Sequence, residues 1–236
     1  MNLYKCPFCG KAECPGLSNH VIMADLFGKH GAWLATQQYP SCSQDCAWHR
    51  RAIDELIPLV EASGASTAIE LGAGEPPSYG ARMLKRCGLT VTTVDMAAKA
   101  NMQADIHDLP FPDGTFDLAL ARHSLEHCVA PLVALREARR VARWLVAVVP
   151  EDAQEWLYWG GHFAIFPRHI WEHLFRLAGW SIRYYEAGDF SPTMSRSDIE
   201  WRWLLERGPE HCPPREANGH DLGRRYPLAS KGWQDS

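Results

Sequence analysis

From Ala47 to Ala62 apolar side chains recur at helical spacing, with Ile53, Leu56, Ile57 and Val60 interleaved by Arg50, Arg51, Asp54 and Glu55. Pro58 falls inside this run and is expected to kink or divide the helix, because proline lacks the N–H that a helix interior needs. The rhythm then changes. Ala68 to Leu71 reads as a short buried strand stopping at the glycine turn Gly72-Ala73-Gly74, Ala81 to Cys87 as a helix, and Leu89 to Val94 as a second strand ending in Asp95. Phe116 to Ala121 and Trp144 to Val149 are continuous apolar runs, the pattern of parallel strands covered on both faces. Between them Pro131 is placed for the first turn of a helix whose apolar stripe is Leu132, Leu135, Ala138 and Val141. Pro167 opens another helix through Leu177 that closes at Gly179. Trp180 to Tyr185 then reads as a strand, with Ile199 to Leu205 as its returning hairpin partner. Strands alternating with helices predict an α/β fold: a doubly wound, mostly parallel sheet with an antiparallel edge hairpin.

Composition limits the rest. A chain of 236 residues holds one α/β core and a small appendage. Hydrophobic content of 46% and charged content of 22% are ordinary for a globular protein, and a net charge of −4 makes no electrostatic case for nucleic acid. No apolar run reaches the roughly 18 residues that a bilayer span needs. The N-terminus lacks the apolar core of a signal peptide, so a cytoplasmic protein is expected. Its eight cysteines are then read as thiols or metal ligands rather than disulfides.

Five of those cysteines precede residue 47: Cys6, Cys9, Cys14, Cys42 and Cys46. Cys6-Pro-Phe-Cys9-Gly forms a knuckle, and Cys42-Ser-Gln-Asp-Cys46 supplies a second pair. Two such pairs separated by a loop make the tetrahedral sulfur cage that zinc prefers. The preferred ligands are Cys6, Cys9, Cys42 and Cys46, with Cys14, His20, His30 and His49 in reserve. Four thiolates leave no open position, so this zinc would be structural, and in so short a segment it would provide much of the folding energy. The expected division is a Cys-rich metal module over 1–50, the sheet domain over 51–207, and a mobile tail over 208–236, which is rich in proline, glycine and charge.

The candidate chemistry sits around the glycine turn. A strand followed by glycines lets backbone approach a nucleotide-like ligand where a Cβ would collide. An acid at the next strand end, here Asp95, is placed to accept hydrogen bonds from ribose hydroxyls. Further on, Asp105-Ile-His-Asp-Leu-Pro-Phe-Pro-Asp-Gly-Thr-Phe-Asp117 leads into the third strand and then into Arg122-His-Ser-Leu-Glu-His127. Gly161-His-Phe-Ala-Ile-Phe-Pro167 precedes the last helix and Ala178-Gly-Trp180.

These pieces and their order resemble the class I S-adenosylmethionine-dependent methyltransferases, nearest the small-molecule branch that includes the ubiquinone and menaquinone C-methyltransferases. The resemblance covers roughly Arg51 to Glu186, is most specific over Asp105 to His127, and implies a Rossmann-like methyltransferase domain over 51–207. By that resemblance Glu70, Gly72, Ala73 and Gly74 surround the methionine part of the cofactor, Asp95 holds the ribose hydroxyls, and Met96 lies against the adenine. Asp105 accepts from the adenine amino group, Ile106 donates its backbone N–H, and Arg122 and His123 line the floor near the sulfonium. One feature departs from the family pattern: Pro76 stands where a third glycine is usual. The same prolines spoil the dinucleotide fingerprint and argue against an NAD enzyme.

Methyl transfer from a sulfonium is an in-line displacement that needs alignment, a dry site and a nucleophile about 3 Å from the methyl group. A base is required only where the acceptor must lose a proton. His123, His127 and His162 are candidates, with His162 preferred because it adjoins the aromatic stretch Trp156, Tyr158, Trp159 and Phe163. The acceptor, a small molecule or a macromolecule, is not named by the sequence; the absence of an Asn/Asp-Pro-Pro-Tyr/Phe motif disfavours DNA-base amines. The alternative is a catalytically inactive methyltransferase-fold scaffold whose zinc module binds nucleic acid or protein.

Overall fold

The computed structural model describes residues 47–74, 76, 78–96, 101–151, 162–189 and 199–208. The four cysteines chosen as zinc ligands, and the tail from residue 209 on, lie outside the described residues.

The helical stretch after Ala47 is two helices, α1 (Ala47–Asp54) and α2 (Ile57–Ser63). Pro58 lies in the first turn of α2, where a missing N–H costs no hydrogen bond, so it divides the segment rather than kinking it. β1 (Thr67–Leu71), α3 (Tyr79–Arg86) and β2 (Thr90–Val94) follow. After the loop to residue 115 come β3 (Phe116–Arg122), a short 3-10 turn (Leu125–His127), α4 (Pro131–Val141) and β4 (Ala142–Pro150). α5 (Arg168–Leu177), β5 (Trp180–Asp189) and β6 (Ile199–Arg207) complete the described chain.

The strands form one sheet in the order β2-β1-β3-β4-β6-β5. β2, β1, β3 and β4 are parallel, and β6 runs antiparallel to both β4 and β5. The hairpin is therefore inserted with its second strand inward. Side chains explain that order: Arg202, Trp203, Leu204 and Leu205 of β6 are buried, whereas β5 exposes Arg183 and Tyr185 and tolerates the edge.

Alternate residues of each central strand feed two cores, because successive side chains leave opposite faces of a sheet. Ile69, Leu71, Ala119, Ala121, Leu145, Ala147 and Val149 pack with Leu135, Ala138 and Val141 of α4 and Trp171 and Phe175 of α5. Ala68, Leu118, Leu120, Val146 and Val148 pack with Ile53, Leu59 and Val60 of the first two helices, Leu56 of the link between them, and Met83 and Leu84 of α3. Each fully buried aliphatic or aromatic side chain contributes roughly 1.5–3 kcal/mol relative to exposure. Helices thus cover both faces, and the carboxyl ends of β1 to β4 share one edge. Among the described residues no helix is long and apolar enough to cross a membrane.

Candidate functional site

At that shared edge β1 gives way to a turn in which Gly72 (φ 73°) and Gly74 (φ 68°) take the left-handed backbone that glycine accepts without strain. The N–H groups of Gly72 and Ala73 donate to the carbonyl of Val94 at 3.0 and 3.1 Å, and that of Gly74 donates to Asp95 Oδ2 at 2.8 Å. The turn is bound to the end of β2 through main chain and side chain together. A Cβ on Gly72 would lie 2.5 Å from the Ser124 Cβ, so the loops after β1 and β3 can touch only because residue 72 is glycine.

Glu70 points from β1 toward the start of α3. It accepts a hydrogen bond from Ser78 Oγ at 2.5 Å, and Ser78 Oγ in turn accepts from the Ala81 N–H at 3.2 Å, capping the helix. Gly80 makes room for the carboxylate, since a Cβ there would fall 2.1 Å from Glu70 Oε1. Burial raises the Glu70 carboxyl to about 7, outweighing the Ser78 bond and the nearby Arg122 charge.

The loop after β2 returns beside the turn. Asp95 donates its N–H to Met102 and accepts from Ala104, both through the main chain, and Gln103 Nε2 donates to the Met96 carbonyl at 2.9 Å. Asp105 is buried; its Oδ1 accepts from the His107 N–H at 2.9 Å and lies 2.7 Å from His107 Nδ1. Ile106 packs partly buried against the α4–α5 core.

The end of β3 carries a denser network. Arg122 is largely buried, with Nη2 3.8 Å from Glu200 Oε2, and its Nε and Nη2 have no hydrogen-bond partner among the described residues. His123 adopts φ 48°, the one described non-glycine residue with a positive φ, which turns its ring between two carboxylates. Nε2 is 2.8 Å from Glu200 and Nδ1 3.2 Å from Glu126. Burial works to lower the His123 pKa, but its bonds to Glu126 and Glu200 outweigh burial and raise it. Glu200 responds in the opposite sense: burial works to raise it, yet the His123 bond and the charges of Arg122, His123 and Arg202 hold it to about 2. Arg202 closes the network, donating from Nε to Glu200 Oε1 at 2.7 Å and from Nη1 to Glu55 Oε2 at 2.9 Å.

The preferred base, His162, stands beside this network, its ring centroid 4.6 Å from that of His127. The Glu126 carbonyl accepts from the N–H groups of Phe163 and Ala164 at 2.8 and 3.0 Å, fixing the chain next to His162. The structure thus brings Gly72, Ala73, Gly74 and Asp95 into one hydrogen-bonded unit and sets Glu70, Arg122 and His123 along the same edge. Met96, Asp105 and Ile106 follow Asp95 in the adjoining loop.

Glu126, Glu200 and Arg202 were not singled out in the sequence. For the last two the available signal was charge alternating with tryptophan in Glu200-Trp-Arg202-Trp203, inside a strand whose neighbours are apolar. A charged group in such a strand is retained when it has a buried partner.

Residues 69–144 match the family model described as a methyltransferase domain. A comparison with curated proteins found no match. Among solved structures, the Burkholderia thailandensis 1,6-didemethyltoxoflavin-N1-methyltransferase, with 1,6-didemethyltoxoflavin and S-adenosylhomocysteine bound, is 16% identical with a TM-score of 0.59, over 83% of this chain and 91% of that one. A chain from the complex of the Haloferax volcanii Trm112 methyltransferase activator is 14% identical with a TM-score of 0.60, over 77% of this chain and 98% of that one. The [4+2]-cyclase SpnF is 16% identical with a TM-score of 0.55, over 82% of this chain and 96% of that one. The fold is that of the class I S-adenosylmethionine-dependent methyltransferases. The cyclase among its neighbours is a reminder that activity resides in the site rather than the fold.

Proposed function

We propose that this chain transfers a methyl group from S-adenosylmethionine to an acceptor at the carboxyl edge of the sheet. The observation that carries the reading is the Gly72–Gly74 turn hydrogen-bonded to Asp95, together with a largely buried arginine at the end of the neighbouring strand, Arg122, whose Nε and Nη2 find no hydrogen-bond partner among the described residues. S-adenosylmethionine supplies a methyl group already activated on a sulfonium, so the chain's task is binding, alignment and exclusion of water. In this reading Glu70, Gly72, Ala73 and Gly74 border the methionine part, and the open donors of Arg122 suit its carboxylate, a bidentate partner for a guanidinium. Asp95 accepts from the ribose hydroxyls, Met96 packs on the adenine, and Asp105 with the Ile106 N–H meets the adenine edge. Both nitrogens of His123 face carboxylates, which makes it a fixed cation that shapes the floor. His162 is then the better placed of the two histidines to act on an acceptor proton.

Calorimetric titration of S-adenosylmethionine and S-adenosylhomocysteine tests this. Micromolar binding is expected, and Asp95→Ala should weaken it about 10- to 100-fold, the equivalent of one or two hydrogen bonds to a charged group. Absence of binding to folded, full-length protein would sink the reading and leave the inactive scaffold.

The methyltransferase domain is put at 51–207 and the tail at 208–236. A structural zinc held by Cys6, Cys9, Cys42 and Cys46 is proposed for the module over 1–50, supported by the spacing of the two pairs. Stoichiometric zinc in the purified chain, lost in Cys6→Ser, is the expected result. Such a module would suit recognition of a large acceptor such as a protein or RNA, while a small molecule fits the branch of the family that the motifs resemble. A cytoplasmic location is proposed with it, since a reducing compartment keeps such thiolate ligands available.

A further inference from the structure

Glu126, His127 and His162 each offer a ligand atom, and these atoms lie within 4.8 Å of one another. A first-row cation holds nitrogen and oxygen donors at about 2.0–2.2 Å, so three donors sharing one ion lie roughly 2.8–3.8 Å apart. Donor atoms at the outer limit of that spacing would each have to move inward by about 0.5–1 Å to share an ion, within the reach of side-chain torsions. The neighbouring main chain already favours that convergence, because Glu126 accepts from both residues after His162 and carries His127 on its other side.

A second observation is independent of this proximity. Glu126 is fully buried, and while one carboxylate oxygen faces His123, Oε2 has no hydrogen-bond partner among the described residues. A buried carboxylate oxygen without a donor is costly, and an ion is among the few things that explain it.

We infer that Glu126, His127 and His162 bind a divalent transition-metal ion on the acceptor side of the site. Two imidazoles and a carboxylate suit iron, cobalt, nickel or zinc, and three protein ligands leave positions open for water or substrate. The proposed cysteine cage, in contrast, would be saturated. Ser124 touches Gly72 and lies two residues from Glu126, so the ion would sit next to the glycine turn. Resting on the methyl-transfer reading, the acceptor class follows: a molecule that ligates the ion through a hydroxyl oxygen. Bound to the ion, that hydroxyl loses its proton to solvent more readily. The oxygen lone pair then forms the bond to the methyl carbon as the carbon–sulfur bond breaks and its electron pair returns to sulfur, leaving a neutral thioether. His162 would then act on the acceptor proton through the ion it ligates rather than as the free base of the metal-independent reading.

Titration of the full-length chain with Co2+ tests the site without any turnover, because the visible spectrum of cobalt separates thiolate from imidazole and carboxylate ligation. A cobalt population without thiolate character is expected, lost in His127→Ala and in His162→Ala and retained in Cys6→Ser. Both histidines are only partly buried, and circular dichroism verifies that the variants fold. Glu126→Gln should weaken this uptake while leaving the thiolate population intact. Uptake that is entirely thiolate in character, or non-thiolate uptake indifferent to both histidine variants, would overturn the inference. S-adenosylmethionine affinity measured on the same samples separates failure of the metal site from failure of the methyltransferase reading.

Discussion

Glu70 shows how much one residue's surroundings decide. Its carboxyl is raised to about 7 by burial, with Ser78, the Ala81 N–H and Arg122 pulling down and Asp95 pushing up. The unfolded chain releases this proton near the ordinary 4.5, so between that value and about 7 the folded state binds more protons. Its contribution to stability is therefore fully present below about pH 4.5 and lost as pH rises through 7. At about 1.4 kcal/mol per unit the loss is roughly 3 kcal/mol. Glu70→Gln keeps an acceptor for Ser78 Oγ and removes the buried charge. It should match wild type near pH 4 and exceed it by up to about 3 kcal/mol at pH 8 in urea unfolding. Parallel pH profiles for the two proteins would refute this account of Glu70. At this scale the sequence was informative where the chemistry is local: Gly72, Gly74 and Asp95 stand out because strand, turn and acid follow one another along the chain. The Glu70–Gly80 fit did not stand out, because nothing in the sequence says which way an acid at a strand end will turn.

Among elements, the later part of the loop between β2 and β3, from Leu109 to Asp113, is clamped by α4. Arg140 donates to the carbonyls of Leu109 and Phe111 at 2.9 and 2.6 Å and pairs with Asp113 and Glu137, while Glu137 accepts from the Leu109 N–H at 3.0 Å. Asp105 and Ile106, the proposed adenine contacts, lie just upstream of that clamp. Arg140→Met keeps the aliphatic stem and removes five donors. It is expected to cost about 1–3 kcal/mol and to speed hydrogen exchange at Leu109 well beyond the global change. Uniform exchange across the chain would mean that the loop is held by its own packing. Periodicity and punctuation read the elements well, since continuous apolar runs mark β3 and β4, helical spacing marks α4, and Pro167 with Gly179 brackets α5. It also paired β5 with β6. That β6 lies inward against β4 depended on comparing the burial of two strands, and the clamp on one arginine reaching 27 to 31 positions back along the chain.

Across the molecule, the Glu200–Arg202 network ties the hairpin to both the site and the opposite helical layer. His123 and Glu200 are 77 positions apart, Glu55 and Arg202 147, and no local pattern could have joined them. What the sequence offered was their unease: two charges in a strand flanked by tryptophans. Taking those charges out of water is expensive, and the low-dielectric interior repays it only while every partner is present. Arg202→Met removes a cation from Glu200 and Glu55 together and should cost about 3–5 kcal/mol, the range for breaking a buried pair from one side. Adding Glu200→Gln to Arg202→Met takes away the stranded charge and should recover part of that loss, although His123 then gives up one of its two carboxylates. The double-mutant cycle in urea therefore reads the coupling directly. Strongly non-additive costs would show that Glu200 and Arg202 hold each other as one buried pair, so that the carboxylate facing His123 depends on the hairpin's arginine. Additive costs would mean that each charge is held by its own local contacts, and that the floor of the site does not depend on the hairpin's arginine.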